Sequence, residues 1–184
     1  MIWNLDGPPK LSHFLWRVCT GSMAVMERLQ YRHISQTTQC PICEAEIESL
    51  SHTLFVCKYA QDIWSHSPYL KLLPEAPNLN IEERLNWLAN KLDKNELRLI
   101  ASLMWAAWSC RNIAFFENLN PNANQVATGF ARLSADYKKY AKLVFGGNAG
   151  TVILSSARWR TPEVGWVKVN TDAHIRIGSY VGMV

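Results

Sequence analysis

The chain has 184 residues, is 48% hydrophobic with eight tryptophans, and carries a formal net charge of +4. That is enough apolar mass to bury a core, which excludes a disordered chain, and a pI near 8.8 is only mildly basic. The longest uncharged apolar stretch, residues 99–110 between Arg98 and Arg111, falls short of the about 20 residues a membrane span needs, and residues 1–10 lack the basic start and apolar run of a signal peptide. No transmembrane helix and no membrane partner are therefore expected. The expected compartment is intracellular and reducing, nucleus and cytoplasm being equally compatible, and there clustered cysteines are more often metal ligands than disulfide partners.

In chain order, Pro8 and Pro9 cannot lie inside a helix, and Leu11, Phe14, Leu15 and Val18 then recur at helical spacing until Gly21 stops the run. A second helix is expected over residues 23–32, with Met26 and Leu29 inward. Residues 40–57 follow, reading Cys-Pro-Ile-Cys, eight residues, His52, four residues, Cys57. Two Cys separated by two residues can grip one ion from a tight turn, and His52 and Cys57 can share one side of a short bend, so Cys40, Cys43, His52 and Cys57 form a candidate Cys3His zinc site. Four protein ligands close the shell, which makes the expected Zn²⁺ structural and not catalytic. The competing reading is buried thiols or disulfides beside a surface histidine. Residues 44–51 are long enough for a small hairpin or turn, and Ala60, Ile63 and Trp64 imply a short helix packed back on the first two.

Pro68, Pro74 and Pro77 punctuate an expected linker. Asp93 and Glu96 then form a capping-box start to a helix carrying Leu97, Ile100, Met104 and Trp108 on one stripe. A further helix over residues 123–145 places Val126, Phe130, Leu133, Tyr137, Ala141 and Val144 on one face, and Gly146 and Gly147 end it. Cys19 and Cys110, on apolar stretches, read as small core residues. From Trp159 a new unit begins, with alternation over residues 164–171 for a strand and residues 175–184 as its hairpin partner.

The words around the ligands carry a resemblance. Ile2-Trp3, Pro8-Pro9-Lys10-Leu11, His13-Phe14-Leu15-Trp16-Arg17, the ligands themselves and residues 60–64 resemble the zinc-binding domain that follows the reverse transcriptase in plant non-LTR (LINE-type) retrotransposons. Trp105 to Asn112 and Phe116-Glu117 resemble the W-x2-W-x2-R-N-x3-F-E helix of the same proteins, in which Trp105 is a packing residue. Trp159, Pro162 and Gly165 to Asp172 resemble the opening of their plant-type ribonuclease H domain, whose first catalytic carboxylate would be Asp172. Three departures stand out. Ala24-Val25 replaces the family's Pro-Thr, so the second helix lacks a side-chain cap; His33 replaces a Gly at a position that often needs left-handed backbone; and Ala173-His174 replaces Gly-Ala.

The expected fold class is mainly α: a small zinc-stapled helical module, a helical linker region, then a truncated α/β ribonuclease H-like fragment consisting of a β-hairpin only. The expected organisation is a reverse-transcriptase zinc-binding domain at 1–66, a proline-containing linker at 67–92, a helical connector at 93–146, a flexible linker at 147–158 and the ribonuclease H-like fragment at 159–184. Ribonuclease H chemistry sets two Mg²⁺ ions between several carboxylates. Asp172 is the last acidic residue of the sequence, so Mg²⁺ is expected only in a complete ribonuclease H domain and no catalysis is expected of this chain alone. No phosphate loop, G-x-S-x-G or H-E-x-x-H competes.

Charge is uneven. The zinc loop carries Glu44, Glu46, Glu48 and Asp62 against Lys58, which disfavours direct phosphate contact by the loop. From residue 121 eight basic residues face three acidic ones, and Arg132, Lys138, Lys139, Lys142, Arg158 and Arg160 form the candidate nucleic-acid surface; a merely solvated helix face is the rival reading. The leading function is a structural zinc-binding, nucleic-acid-associated module derived from a retrotransposon reverse transcriptase/ribonuclease H polyprotein. Its expected partners are RNA or DNA, bound weakly and without sequence preference, and the upstream reverse transcriptase. The alternatives are a protein-interaction or spacer module without nucleic-acid contact, and the remnant of an RNA–DNA hybrid ribonuclease.

Overall fold

A computed structural model describes residues 5, 7–45, 47–77, 80–145, 163–165, 174–176 and 179–181. The order is α1 (Pro9–Cys19), α2 (Met26–Tyr31), a π-helical turn (His52–Val56), α3 (Lys58–Ser65), a 3₁₀ turn (Leu73–Glu75), α4 (Ile81–Lys91), α5 (Lys94–Phe116), α6 (Ala123–Phe145) and two short strands, β1 (His174–Arg176) and β2 (Ser179–Val181). The chain divides into a mainly helical unit, Met1–Asn148, and a second unit, Ala149–Val184.

The helical unit is organised around α5. Its start is a capping box: Asp93 Oδ1 accepts from Asn95 N–H at 2.7 Å and Glu96 N–H at 2.9 Å, and Glu96 Oε2 accepts from Asp93 N–H at 3.0 Å. Beyond the expected stripe of Leu97, Ile100, Met104 and Trp108, its Ala101, Leu103, Ala106, Ala107 and Cys110 are also buried. A helix apolar on every side belongs in the middle of a core. By length and composition α5 also qualifies as a membrane span, which the charge-bounded stretch 99–110 did not lead one to expect, yet more than half of its apolar window is buried within the unit. Packed on it are α1, α3, α4, α6 and the π turn.

α1 runs as the sequence predicts, with Leu11, Phe14, Leu15 and Val18 buried and Gly21 at φ 60° beyond its end. α3 likewise buries Ala60, Ile63 and Trp64, and Trp64 Nε1 donates to the Leu54 carbonyl at 2.8 Å. Trp105 packs edge-on to Phe130, with 4.6 Å between ring centroids, and so joins α5 to α6.

Three expectations are corrected. The second helix starts at Met26 and has no buried residue; Met23 and Val25, ahead of it, take the core positions expected of Met26 and Leu29. Residues 67–92 are not a bare linker. Asn80 Oδ1 caps α4 by accepting from Glu83 N–H at 2.7 Å, Leu88 is fully buried, and Arg84 reaches back to the Leu73 carbonyl at 2.9 Å, so this segment is folded into the same unit as 1–66 and 93–145. On α6, Val126 and Phe130 pack against the core as expected and Ala123, Ala127 and Ser134 are buried beside them, but Leu133 is exposed; Ser134 and Ser102 share a buried hydrogen bond of 2.6 Å. Ala141 and Val144 lie outside the residues whose side chains are described.

In the second unit β1 and β2 pair antiparallel, His174 opposite Val181 and Arg176 opposite Ser179. Residues 164 and 165 form a turn, with Gly165 at φ 93°, where a strand was expected to begin; the remainder of that strand, 166–171, lies outside the described residues.

Candidate metal centre

The Cys-Pro-Ile-Cys segment folds as a tight knuckle. Glu44 N–H returns to the Cys40 carbonyl at 3.0 Å, Cys40 N–H donates to the Ala45 carbonyl at 2.9 Å, and Glu48 N–H donates to Thr38 O at 2.7 Å. These bonds tie Thr38 and Cys40 to Glu44, Ala45 and Glu48, a turn that begins ahead of the 44–51 segment where one was expected. Closing it requires Glu44 at φ 61°, a left-handed conformation that a side chain makes costly. Pro41 has no N–H to lose inside the turn.

The second ligand pair is set by the π turn. Five α-helical steps of about 100° would leave His52 and Cys57 about 140° apart around the axis. The backbone instead closes an i to i+5 ring, Cys57 N–H donating to the His52 carbonyl at 2.7 Å, which brings residue i+5 back over residue i. Ser49 begins this turn: its Oγ accepts from His52 N–H at 3.1 Å and its carbonyl accepts from the Thr53 hydroxyl at 3.0 Å. Thr53, Leu54 and Phe55 on the inner side of the turn are buried, anchoring the ligands to the core.

The structure brings all four predicted ligands together, with donor atoms within 4.8 Å of one another. Cys40 Sγ lies 3.7 Å from Cys57 Sγ, Cys57 Sγ 3.8 Å from Cys43 Sγ, and Cys43 Sγ 3.2 Å from His52 Nε2. Two sulfurs on a tetrahedral zinc with bonds of about 2.3 Å stand about 3.8 Å apart, so the spacing fits one Zn²⁺. None of the three cysteines is in a disulfide. The hydrogen bond from Cys57 holds the Cys40 thiol well below its usual range, and the same contact, together with burial, pushes Cys57 up. Cys40 and Cys57 are buried on the core side, whereas Cys43 is exposed. Here Zn²⁺ would act as a staple, its shell filled by protein.

A residue pair that the sequence reading did not single out ties this loop to α5. Arg111 Nε and Nη2 donate to Glu48 Oε1 and Oε2, both at 2.7 Å, with the side chains 2% and 0% exposed. Glu48 Oε2 also accepts from Met26 N–H at 2.8 Å, supplying α2 with the cap that Val25 cannot provide. Glu48 was expected as one charge of an acidic loop surface, and it is instead neutralised inside the unit. The sequence signal was present but indirect: a charged residue inside the apolar Trp105 to Phe116 helix needs a partner once buried. Cys110 is fully buried, as expected of a core residue, and burial pushes its thiol up to about 11.

Of the candidate nucleic-acid residues, Arg132 and Lys139 are exposed on α6, and Lys139 Nζ lies 3.7 Å from Asp136. Lys138 and Lys142 are on the same helix, with side chains outside those described; Arg158, Arg160 and Asp172 lie outside the described residues.

Residues 1–64, which contain all four ligands, match the family described as zinc-binding in reverse transcriptase. Over an alignment of 196 residues the chain is 28% identical to the Arabidopsis thaliana protein named "Putative ribonuclease H protein", an alignment that takes in 95% of this chain and 29% of that protein. The chain thus spans under a third of the length of that relative. No solved structure matches it. Residues 1–64 are accordingly similar to the zinc-binding segment of reverse transcriptases, in a chain similar to part of a plant protein named for ribonuclease H.

Proposed function

We propose that this chain is a structural zinc-binding, nucleic-acid-associated module derived from a retrotransposon reverse transcriptase/ribonuclease H polyprotein. The observation that carries the proposal is the closed set of three sulfurs and one imidazole, built on a knuckle and a π turn and linked to the central helix. A four-ligand shell leaves no position for substrate, so the zinc holds the fold and does no chemistry. In this reading the chain is not an enzyme by itself: Asp172 corresponds to one ribonuclease H metal ligand, and Mg²⁺ belongs to a complete ribonuclease H domain. Its compartment is intracellular, and the upstream reverse transcriptase is a second partner.

Support for nucleic-acid association comes from the reverse-transcriptase character of residues 1–64, from the relative's name and from the exposed Arg132 and Lys139 on α6. Metal analysis of the purified, reduced chain, followed by titration with labelled RNA and DNA at rising salt, tests both halves. One zinc per chain and an affinity that falls with salt are expected. A metal-free folded chain removes the first half, and no binding in low salt leaves the spacer or interaction module as the function.

A further inference from the structure

The end of α2 presents an aromatic platform with its own cation. Tyr31 is 74% exposed, and the Arg28 guanidinium lies over its ring at 5.3 Å. The spacing is i to i+3, one helical turn, which holds a side chain at i over one at i+3. Arg28 Nε is shielded from solvent and makes no hydrogen bond. No ion pair holds Arg28 among the described residues, in contrast to Arg111, whose charge is consumed by Glu48 although it too lies near an exposed ring, that of Phe116, at 6.0 Å. Arg32 and His33, the next residues, are exposed, with His33 at φ 57° turning the chain back at the helix end. Beside Tyr31 and Arg28 lies a recess of about 360 Å³, with an apolar floor that includes Met23, Val25 and Leu50 and one carboxylate, Glu27, at its edge.

We infer that Tyr31 and Arg28 form a contact site for single-stranded nucleic acid, a base stacking on the free face of Tyr31 and the adjacent phosphates meeting Arg28 and Arg32. One ring face is stiffened by Arg28, and the other is open to a base. Sequence-tolerant single-strand binding needs an aromatic face for the base and a cation for the backbone, because every base has a π-face and every nucleotide a phosphate. The apolar recess receives the edge of the stacked base and excludes water from it. Glu27 opposes the phosphates on its side, so the backbone tracks past the Arg32 side. This site rests on the proposed association with nucleic acid and moves its centre from the basic run of α6 to the zinc-binding segment.

The test is fluorescence anisotropy of the zinc-loaded full chain with a fluorescein-labelled oligo-dT and an oligo-U, in low salt and across a salt series. Tyr31→Ala is expected to weaken binding about tenfold, while Tyr31→Phe keeps it, since stacking needs the ring and not the hydroxyl. Arg28→Ala is expected to lower the slope of log affinity against log salt by about 0.7, the release of one phosphate contact. Zinc content and helix signal measured on each variant check that the substitutions leave the fold intact. Binding that is unchanged in Tyr31→Ala but lost when Arg132 and Lys139 are reversed to Glu overturns this site and leaves the association standing. No binding by the parent chain to either oligonucleotide overturns both.

Discussion

Glu48 and Arg111, 63 residues apart in sequence, meet through two parallel hydrogen bonds of 2.7 Å in the interior. A paired fork of this kind stabilises little over an apolar pair of the same shape, but breaking one side strands a charge. Arg111→Ala should destabilise the chain by about 3–5 kcal/mol in chemical denaturation, whereas an apolar double replacement such as Glu48→Leu with Arg111→Met should cost far less. Equal losses in the single and double variants would show that the pair is not acting as a unit.

The same contact changes what metal removal should do. Were residues 1–66 an independent zinc module, chelation would melt them and spare the helices beyond residue 93. With Glu48 bound to α5 and capping α2, loss of the zinc loop releases Arg111 into an apolar helix and uncaps α2. Chelation is therefore expected to lower the helix signal as a single transition across Met1–Asn148. Two separable transitions by circular dichroism would restore the two-module picture.

One tightly held Zn²⁺ per chain is expected, lost in a Cys43→Ser, Cys57→Ser double variant. Affinity should fall as the pH is lowered, because the thiolates and imidazole must be deprotonated to bind metal. Metal analysis by mass spectrometry over a pH series reads both, and full zinc retention in the double variant would dismiss the ligand set.

Cys110 should resist alkylation in the native, zinc-loaded chain at pH 8, since its thiol is buried and pushed up to about 11, and react only after unfolding. Peptide mapping after iodoacetamide treatment measures this. Modification at the native rate of a free thiol would mean that α5 opens far more readily than a central helix should.

No cleavage of an RNA–DNA hybrid is expected from the isolated chain in Mg²⁺ or Mn²⁺, because two metal ions need more carboxylate oxygens than Asp172 can offer. A gel assay with a labelled hybrid checks it. Cleavage abolished by Asp172→Asn would point to a partner chain completing the site.

Local rules carried the sequence reading as far as local signals reach. The Cys and His spacing, the capping box at Asp93 and the proline start of α1 are local signals: the four donor atoms gather, the box forms, and α1 begins at Pro9 itself, where the helix was expected only after both prolines. His33, standing in place of the family's Gly, does adopt left-handed backbone, at φ 57°. α4 was legible too, since Asn80 with Glu83 three residues on is a cap and Ile81, Leu85 and Leu88 keep helical spacing. Pro68, Pro74 and Pro77 all precede the Asn80 cap, so they bound α4 without interrupting it. What could not be read was long-range: no neighbour of Val25 reveals that a carboxylate from residue 48 will cap the helix after it. On α6 the expected face holds at Val126 and Phe130, which pack against the core, and fails at Leu133, which is exposed, because which of two adjoining stripes is buried depends on the shape of α5 and not on α6 alone.

The π turn ties the spelling of the site to its shape. Its i to i+5 closure accommodates one residue more than an α turn, and that surplus residue is what aims Cys57 at the same point as His52. Relaxation of the same residues into an ordinary α turn would keep the helix content and most of the apolar anchoring while carrying the last thiol about 140° around the axis from the histidine, out of the coordination sphere. The four-residue interval between His52 and Cys57 is therefore a reading frame in three dimensions. A chain one residue shorter here would have to replace the π turn by an α turn to bring the last thiol back beside His52, so the length of this interval and the type of turn that spans it are fixed together.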